Sequence, residues 1–559
     1  MKWKFVKEPE EIVTLPQMFL KTVMSYPENA AIKLVGEGGN LKEWSYEELY
    51  NLIISLAIQM KTKKIKKGDR VAIYGYYSPE WVITYFAIQF IGAIGVPIDN
   101  RLTYREAHYL VNDSGAKILF YSPDLLADEL VVEKREKYLP LELPNFTSEV
   151  KDFPLPPLSL DDPAVILYTS GTTGSPKGVV LTHRNLASNV EMLREVVEFN
   201  PNDSFYVLLP LNHIFSQTVN MLAPFSTGSS MILARSLKSK DIIEDCKKTK
   251  PTIFAVVPLI LEKFIEGIEK EIKRSHLAKR AIFKALDGVG TFLHRIKRGS
   301  GGFLYSTIKK NLGLERLKYL ISGGAALPKW VSQKFEQWSF PIIQGYGLTE
   351  TSPVISVNPI YAPKNESVGL PLPGLEIKIL NPNENGVGEI AVKGPSVFKG
   401  FWENEEATKE VFEGEWFKTG DLGFLDSEGY LYITGRKKSV IVTKGGKNIY
   451  PEEIENYLSQ SPLIEEVLVL SKPNPKTGSE ELVAIVYPNY EELDEYCRKH
   501  RIEEKDPHKI INEEIKKLNQ DLTDFKRIRR VLIRDEEFPK TPTRKIKRYL
   551  FEEEGVEIQ

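Results

Sequence analysis

Residues 164–182, AVILYTSGTTGSPKGVVLT, run from an apolar stretch through glycine, serine and threonine to a lysine and a second apolar stretch. The loop between them has the composition of a phosphate cradle, and its register decides which kind. A Walker A loop needs GxxxxGK[ST], with the lysine set between a glycine and the hydroxyl that binds Mg²⁺. Here Lys177 follows Pro176 and precedes Gly178, so that register fails. The physics of a cradle survives. Gly171 and Gly174 let the backbone turn and bring N–H groups close to anionic oxygens. Thr169, Ser170, Thr172 and Thr173 add hydroxyl donors, and Lys177 adds charge. The flanking apolar runs read as buried strands, which puts the loop at a strand end, where α/β sheets bind ligands, and argues against a plain Gly/Ser linker.

Working outward, RVAIYGY (70–76), SFYVLLP (204–210), SMILA (230–234), TIFAVVP (252–258) and LKYLISGG (317–324) also read as buried strands. SYEELYNLIISLAIQM (45–60) and PEEIENYLSQ (451–460) carry helical spacing. Such alternation predicts mostly parallel sheets covered by helices on both faces. From about 355 to 434 the texture changes to short strands and turns, GLEIKIL, GEIAVKG and GYLYITG, predicting a smaller strand-rich unit. At 559 residues the chain exceeds one core and should form three or four structural units. A domain boundary is expected at 435–439.

The formal charge of −2 argues against a nucleic-acid partner, which would call for a basic excess. Cys246 and Cys497 lie far apart with no metal-ligand partners nearby, so buried or bystander thiols in a reducing compartment are expected. The N-terminus MKWKFVKEPEEIV turns acidic before an apolar run develops and does not read as a secretory leader. The stretch WVITYFAIQFIGAIGVPI (81–98) approaches the length of a membrane span, but Gly92, Gly95 and Pro97 divide it into a helix and a short strand. A cytoplasmic protein is expected. Residues 262–318 are rich in Lys and Arg among Ile, Phe and Leu. They read as a solvated helical hairpin or as a surface that touches anionic membrane at its inner face.

The loop YTSGTTGSPKG resembles the phosphate loop of the adenylate-forming superfamily of acyl-CoA synthetases, luciferases and adenylation domains. Other motifs of that family follow in order: SGGAALP (322–328), QGYGLTET (344–351), TGD (419–421), GRKKSVIVTKGGKNIYPEEIE (435–455) and PKTPTRKIKR (539–548). The matches extend from about residue 30 to 550. The resemblance implies an α/β fold with a large, multi-subdomain N-terminal domain over 1–435, made of two α/β layers and a strand-rich, barrel-like unit. A small, mobile α+β C-terminal domain over 436–559 would complete it.

The resemblance also implies roles. Lys545, Glu350 and Thr172 would be catalytic, Lys545 by stabilising the negative charge that develops when a carboxylate attacks the α-phosphorus. The nucleotide would lie against Thr169–Gly174, Lys177, Gly323, Gly324, Ala325, Tyr346, Gly347, Thr349, Asp421 and Arg436. Tyr346 would stack on the purine, Asp421 would accept from the ribose hydroxyls, and Arg436 would reach ribose or phosphate. Thr169 and Glu350 would share Mg²⁺, a hard cation that favours oxygen donors. His213 and Gln217 would line the acyl pocket, Gln217 standing where some long-chain relatives place a tryptophan gate. Lys444, Gly445 and Gly446 would border the pantetheine channel of coenzyme A, and Lys438 would be the hinge. Many relatives carry glycine where this chain has Arg544.

The implied reaction joins a carboxylic acid to ATP, giving acyl-adenylate and pyrophosphate, and then to coenzyme A, giving a thioester and AMP. HIFSQ, the basic insertion and the ending TPTRKIKR are more like medium- or long-chain fatty acyl-CoA synthetases, so a long-chain fatty acid is the expected substrate. Acyl-carrier-protein ligation, a fatty acyl-AMP ligase, an aryl acid and a non-catalytic nucleotide-binding protein are the alternatives. The last would call for a degraded site, whereas Glu350, Asp421, Arg436 and Lys545 are all present.

Overall fold

The run at 81–98 forms most of a helix, Pro79–Phe90, buried at every position but Glu80 and capped by Ser78, followed by the strand Ile94–Ile98. Gly92 makes the turn between them with φ +70°, a left-handed conformation that glycine adopts without a Cβ penalty. Side chains cap several other helices at positions set by the sequence. Ser45 and Glu48 form a capping box on Tyr46–Thr62, Thr103 and Glu106 on Tyr104–Asp113, and Thr182 and Asn185 on His183–Val196.

The structure is a computed structural model that describes residues 3–36, 38–125, 138–144, 153–169, 176–274, 305–442, 448–474, 480–502, 506–540 and 546–552. Its contacts divide the chain into two compact units. The larger comprises Met1–Ile377, Val392–Phe417 and Ser427–Leu431; the smaller comprises Lys378–Ala391, Lys418–Asp426 and Tyr432–Gln559.

Two sheets dominate the larger unit. One has seven strands in the order Gly400–Phe401, Lys177–Thr182, Pro163–Thr169, Ile94–Ile98, Arg70–Tyr74, Ile118–Tyr121 and Tyr138–Pro140. The second has nine, in the order Leu370–Pro371, Val354–Val357, Ile342–Gly347, Tyr319–Ser322, Ile253–Val256, Ser204–Val207, Ser230–Leu233, Ala30–Val35 and Leu41–Ser45. The inner strands of both are parallel, and the antiparallel pairings lie toward the edges.

Strand alternation sorts the side chains into layers. Val71 and Ile73 face a core shared with Met231 and Leu233 of the other sheet and with Phe19, Ile53 and Phe86 from helices between them. The alternate residues Ala72 and Tyr74 join Ala107 and Leu110 on the far face. Ile232 joins Phe254, Leu261 and Phe335 on the far face of the nine-stranded sheet. The expected helix-covered, mainly parallel sheets are present. The strand-rich segment carries a five-stranded sheet of Glu376–Leu380, Gly388–Lys393, Trp416–Leu425, Phe412–Glu413 and Leu431–Arg436.

In the smaller unit, Ile464–Pro473 and Glu480–Pro488 pair antiparallel, and Arg530–Ile533 adds parallel to the second of them. Val467, Val469, Ala484 and Val486 face the helices Pro451–Leu458 and Pro507–Leu518, whereas Leu468, Leu470 and Ile485 face Phe538 and Phe551.

Both cysteines are buried free thiols. Among the described residues no helix is long and apolar enough to cross a membrane. Most of the basic stretch at 262–318 lies outside the described residues, which include the helices Pro258–Arg274 and Ser306–Leu312 at its ends. Lys309 departs from the solvated reading. Its ammonium donates to the Ser339 carbonyl at 2.6 Å and lies 4.6 Å from the Phe340 ring centroid, and burial lowers its pKa.

Candidate active site

The loop at 170–175 lies outside the described residues, and so do Ser170, Gly171, Thr172, Thr173 and Gly174 individually. Its two stems are described and fix its span. Pro163–Thr169 and Lys177–Thr182 form an antiparallel hairpin whose last pair is Thr169 opposite Lys177. Directly opposite residues project to the same face of a sheet, so the Thr169 hydroxyl and the Lys177 ammonium share one face at the mouth of the loop. The Lys177 ammonium lies 5.4 Å from the Phe401 ring centroid. A cation and a hydroxyl beside a loop rich in backbone N–H groups suit a polyanion.

The second motif begins at Ser322, the end of the strand Tyr319–Ser322, which pairs with Gln344 of Ile342–Gly347. Gly323 packs on the Phe215 ring so closely that a Cβ there would sit 3.2 Å from two ring carbons. Gly324 follows with φ +82°, and Gly324 and Ala325 are exposed. Tyr346 is half-buried at the end of the neighbouring strand, opposite Ser356. A Cβ on Gly347 would sit 1.8 Å from the Pro353 carbonyl oxygen, so only glycine fits.

Thr349 and Glu350 then occupy one turn of 3₁₀ helix, Thr349–Thr351. The Leu348 N–H donates to the Pro353 carbonyl at 3.0 Å, and the Phe398 N–H to the Glu350 carbonyl at 2.8 Å. Asn189 supports the same turn from the helix His183–Val196. Its amide donates to the Val354 carbonyl at 2.8 Å and its oxygen accepts from the Val354 N–H at 3.2 Å. Asn185, one turn earlier, donates to the carbonyls of Pro395 and Val397.

His213 starts the helical segment Ile214–Thr227, whose middle part, Gln217–Leu222, is π-helical. Phe215, two residues on, is the ring under Gly323, so the proposed acyl-side segment and the proposed nucleotide turn are in contact. Gln217 is fully buried, and neither polar atom of its amide has a partner among the described residues. Such an amide loses its hydrogen bonds to water without replacement, which marks it for a ligand or a solvent molecule.

Asp99, just past the strand Ile94–Ile98, lies next to His213. Burial by itself would raise the Asp99 carboxyl, yet the Arg101 guanidinium and backbone N–H hold it well below the usual carboxylate range. Asp99, Arg101 and Asn189 belong to none of the sequence motifs, and Phe215 lies in HIFSQ without a role of its own there. The polar pair Asn185 and Asn189, four apart and both buried on their helix, is the signal that could have found such a role.

In the smaller unit, Gly420 has φ +72° and Asp421 follows it, its side chain 6% exposed. The Arg436 Nε lies 3.0 Å from Asp421 Oδ1, so these two expected ribose-contacting residues are neighbours. The Thr419 hydroxyl donates to the Ile390 carbonyl and accepts from the Asp421 N–H, which fixes the turn. Lys438 is exposed in the short helical turn Lys437–Ser439. Lys444, Gly445, Gly446 and Lys545 lie outside the described residues.

The flanks of 541–545 are described. Lys540 and Ile546 form an antiparallel bridge, and the Lys547 N–H donates to the Pro539 carbonyl at 2.9 Å. Lys540 pairs with Glu466 and Glu537, and Arg548 pairs with Glu455 and donates to the Val469 carbonyl. Their side chains are 14% and 16% exposed, so Lys540 and Arg548 are anchors and not members of a solvated basic cluster.

Among the described residues no group of three or more His, Cys, Asp or Glu side chains could hold a metal ion. Glu350 and Thr169 offer a carboxylate and a hydroxyl, oxygen donors of the kind Mg²⁺ takes when substrate phosphates complete its shell.

Residues 19–402 match the AMP-binding enzyme family and residues 453–545 match the AMP-binding enzyme C-terminal domain. The long-chain-fatty-acid–CoA ligase FadD15 of Mycobacterium bovis is 31% identical over 466 residues, 77% of this chain and 76% of its own. The long-chain-fatty-acid–CoA ligase of Bacillus subtilis is 29% identical over 87% of this chain and 88% of its own. The 2-succinylbenzoate–CoA ligase of Oceanobacillus iheyensis is 30% identical over 85% and 89%. Among solved structures, the o-succinylbenzoate coenzyme A synthetase of Bacillus subtilis in complex with ATP and magnesium ion superposes with a TM-score of 0.73. It is 24% identical, over 95% of this chain and 98% of that one. The fold is thus a large N-terminal and a small C-terminal domain of the adenylate-forming type. The chain belongs to the AMP-binding enzyme family, and within it to the AMP-forming CoA ligases, which use ATP, Mg²⁺ and coenzyme A.

Proposed function

We propose that this CoA ligase activates a long-chain fatty acid. The observation that carries the reading at the site is the seat of Phe215 under Gly323, which sets the segment HIFSQ against the nucleotide turn. The relatives named for long-chain fatty acids, which span more than three quarters of this chain, support the choice of acid.

In the first half-reaction a carboxylate oxygen attacks the α-phosphorus of ATP and pyrophosphate leaves. Lys177, Thr169 and the loop 170–174, Thr172 included, hold the departing phosphates. Mg²⁺, when bound, neutralises phosphate charge, with Glu350 and Thr169 as its protein ligands. Gly323, Gly324, Ala325, Tyr346 and Gly347 form the adenine seat, Thr349 faces the phosphates, and Asp421 and Arg436 take the ribose. Lys545 stabilises charge on the α-phosphate. In the second half-reaction the thiol of coenzyme A attacks the acyl carbon and AMP leaves. Residues 1–435 and 436–559 act as the two domains, with Lys438 as hinge between the poses and Lys444, Gly445 and Gly446 along the pantetheine path. The cytoplasm is the compartment this reading implies. The basic segment at 262–318 is the face proposed to touch anionic membrane, a contact that liposome co-sedimentation indifferent to anionic lipid would refute.

A second reading is an aryl or otherwise polar acid, favoured by the buried, unpartnered amide of Gln217. Release of pyrophosphate and thioester formation across a chain-length series of fatty acids and a panel of aryl acids, with coenzyme A or a carrier protein as acceptor, tests both. The reading requires the largest kcat/KM for a long-chain acid with coenzyme A. Preference for an aryl acid, or for the carrier protein, would replace it.

A further inference from the structure

The stretch IDNR, residues 98–101, sits outside every motif above, yet it places a closed polar cluster beside His213. The Asp99 carboxylate is 9% exposed and accepts three hydrogen bonds from Arg101. Its Oδ1 accepts from the Arg101 backbone N–H at 3.0 Å and from Nε at 2.9 Å, and its Oδ2 accepts from NH2 at 2.7 Å. The second hydrogen on that NH2 is directed to His213, whose Nε2 lies 3.0 Å away.

His213 Nε2 also lies 3.4 Å from Asp99 Oδ2. One neutral ring nitrogen cannot both accept from Arg101 and donate to Asp99, so one of these contacts sets the tautomer. A guanidinium has only donors. A hydrogen on Nε2 would therefore meet an N–H head-on at 3.0 Å, whereas the carboxylate oxygen it would reach lies farther off, at 3.4 Å. The shorter contact wins, Nε2 accepts, and the ring hydrogen resides on Nδ1. The ring's backbone is also held, because its carbonyl accepts the Gln217 N–H at 3.0 Å at the start of the helix.

We propose that Arg101, locked by Asp99, is a positioning residue that fixes His213 as the neutral Nδ1–H tautomer, so that the ring offers a hydrogen-bond donor to an oxygen of the acid substrate. The donor role rests on the reading that His213 borders the acid; the tautomer rests on the geometry alone. Arg101 is suited to this relay because its planar fork can serve a carboxylate and a third group at once. A lysine in its place has the charge without the fork.

Nitrogen-15 correlation spectra of the full chain labelled at histidine, with the His213 signals assigned by their loss in His213→Gln, read the tautomer without any substrate. Protonated Nδ1 and bare Nε2 are expected; a hydrogen on Nε2 in the unsubstituted protein would overturn the proposal. In Arg101→Leu the hydrogen should move to Nε2 and donate to Asp99, and an unchanged tautomer would equally overturn it. Acid-dependent pyrophosphate release should fall about tenfold in Arg101→Leu, the effect of one lost hydrogen bond, with the KM for ATP unchanged. His213→Gln combined with Arg101→Leu should be no slower than His213→Gln alone, and losses that multiply would refute action through the ring. Full activity of His213→Gln, where the unsubstituted protein shows the Nδ1–H tautomer, would overturn the donor role. No pyrophosphate release by the unsubstituted protein with any fatty acid would instead fault the proposed substrate, which the spectra do not depend on.

Discussion

Asn189 braces the segment that follows Glu350, and its replacement tests that role quantitatively. The side chain is fully buried, donates to Val354 at 2.8 Å and, more weakly, to Thr351 at 3.4 Å, and accepts from the Val354 N–H at 3.2 Å. Asn189→Ala removes two good hydrogen bonds worth about 1 kcal/mol each and leaves backbone groups in a dry site short of partners. The expected destabilisation is about 2–4 kcal/mol. Asn189→Asp keeps the acceptor and the shape but turns an oxygen toward the Val354 carbonyl, so it should lose more than alanine at neutral pH. The Thr349–Thr351 turn should shift with Val354, and acid-dependent pyrophosphate release should fall at least tenfold in both variants. Urea unfolding followed by fluorescence, and a coupled pyrophosphate assay on the folded fraction, measure the two effects. Wild-type stability and adenylation in Asn189→Ala, or an aspartate variant more stable than the alanine one, would refute the reasoning.

Three further outcomes are expected. Lys177→Ala should slow adenylation far more than thioester formation from supplied acyl-adenylate, because the role proposed for the ammonium is to hold the departing pyrophosphate; equal slowing of both steps in stopped assays would remove it from that role. Lys438→Pro should form acyl-adenylate yet make little thioester, or the reverse, and unimpaired turnover through both steps would show that the chain does not hinge there. Glu455 is pushed up from the ordinary value of 4.5 to about 6, first by burial and further by Glu452, against the pull of Arg548 and the Val469 N–H. A carboxyl raised in the folded state binds its proton more tightly there than in the unfolded chain. Stability should therefore fall as pH rises from about 4.5 to 6 and level off above, and Glu455→Gln should flatten that part of a stability profile.

What the sequence made legible depended on whether the physics was local. The division of 81–98 into helix and strand followed from Gly92, whose conformation only its own backbone decides. The layered sheets followed from runs such as RVAIY, where residues alternate between two cores. Motif glycines were legible for the same reason: at Gly347 a Cβ has no room. Lys540 and Arg548 were not legible as anchors, because a basic run does not show the distant carboxylates that reach it, Glu466 from 74 positions away and Glu455 from 93. Lys309 was hidden in the same way, since the carbonyl and ring that hold it come from Ser339 and Phe340.

Asn189 and Arg101 show what a motif leaves out. A motif records residues that touch the substrate, and those are exposed to it in any fold that works. The groups that aim them are chosen by where the chain passes next. Asn189 reaches a turn 162 to 165 positions away, and Arg101 reaches a ring 112 positions away. Asn189 and Asp99, the carboxylate that Arg101 pairs, are buried polar groups, which are costly unless their partners are fixed. That cost is the reason to expect function from them. The buried Asn189 and the Arg101–Asp99 pair beside His213 persist because the fold fixes their partners, and that arrangement carries the Glu350 turn and His213 with it.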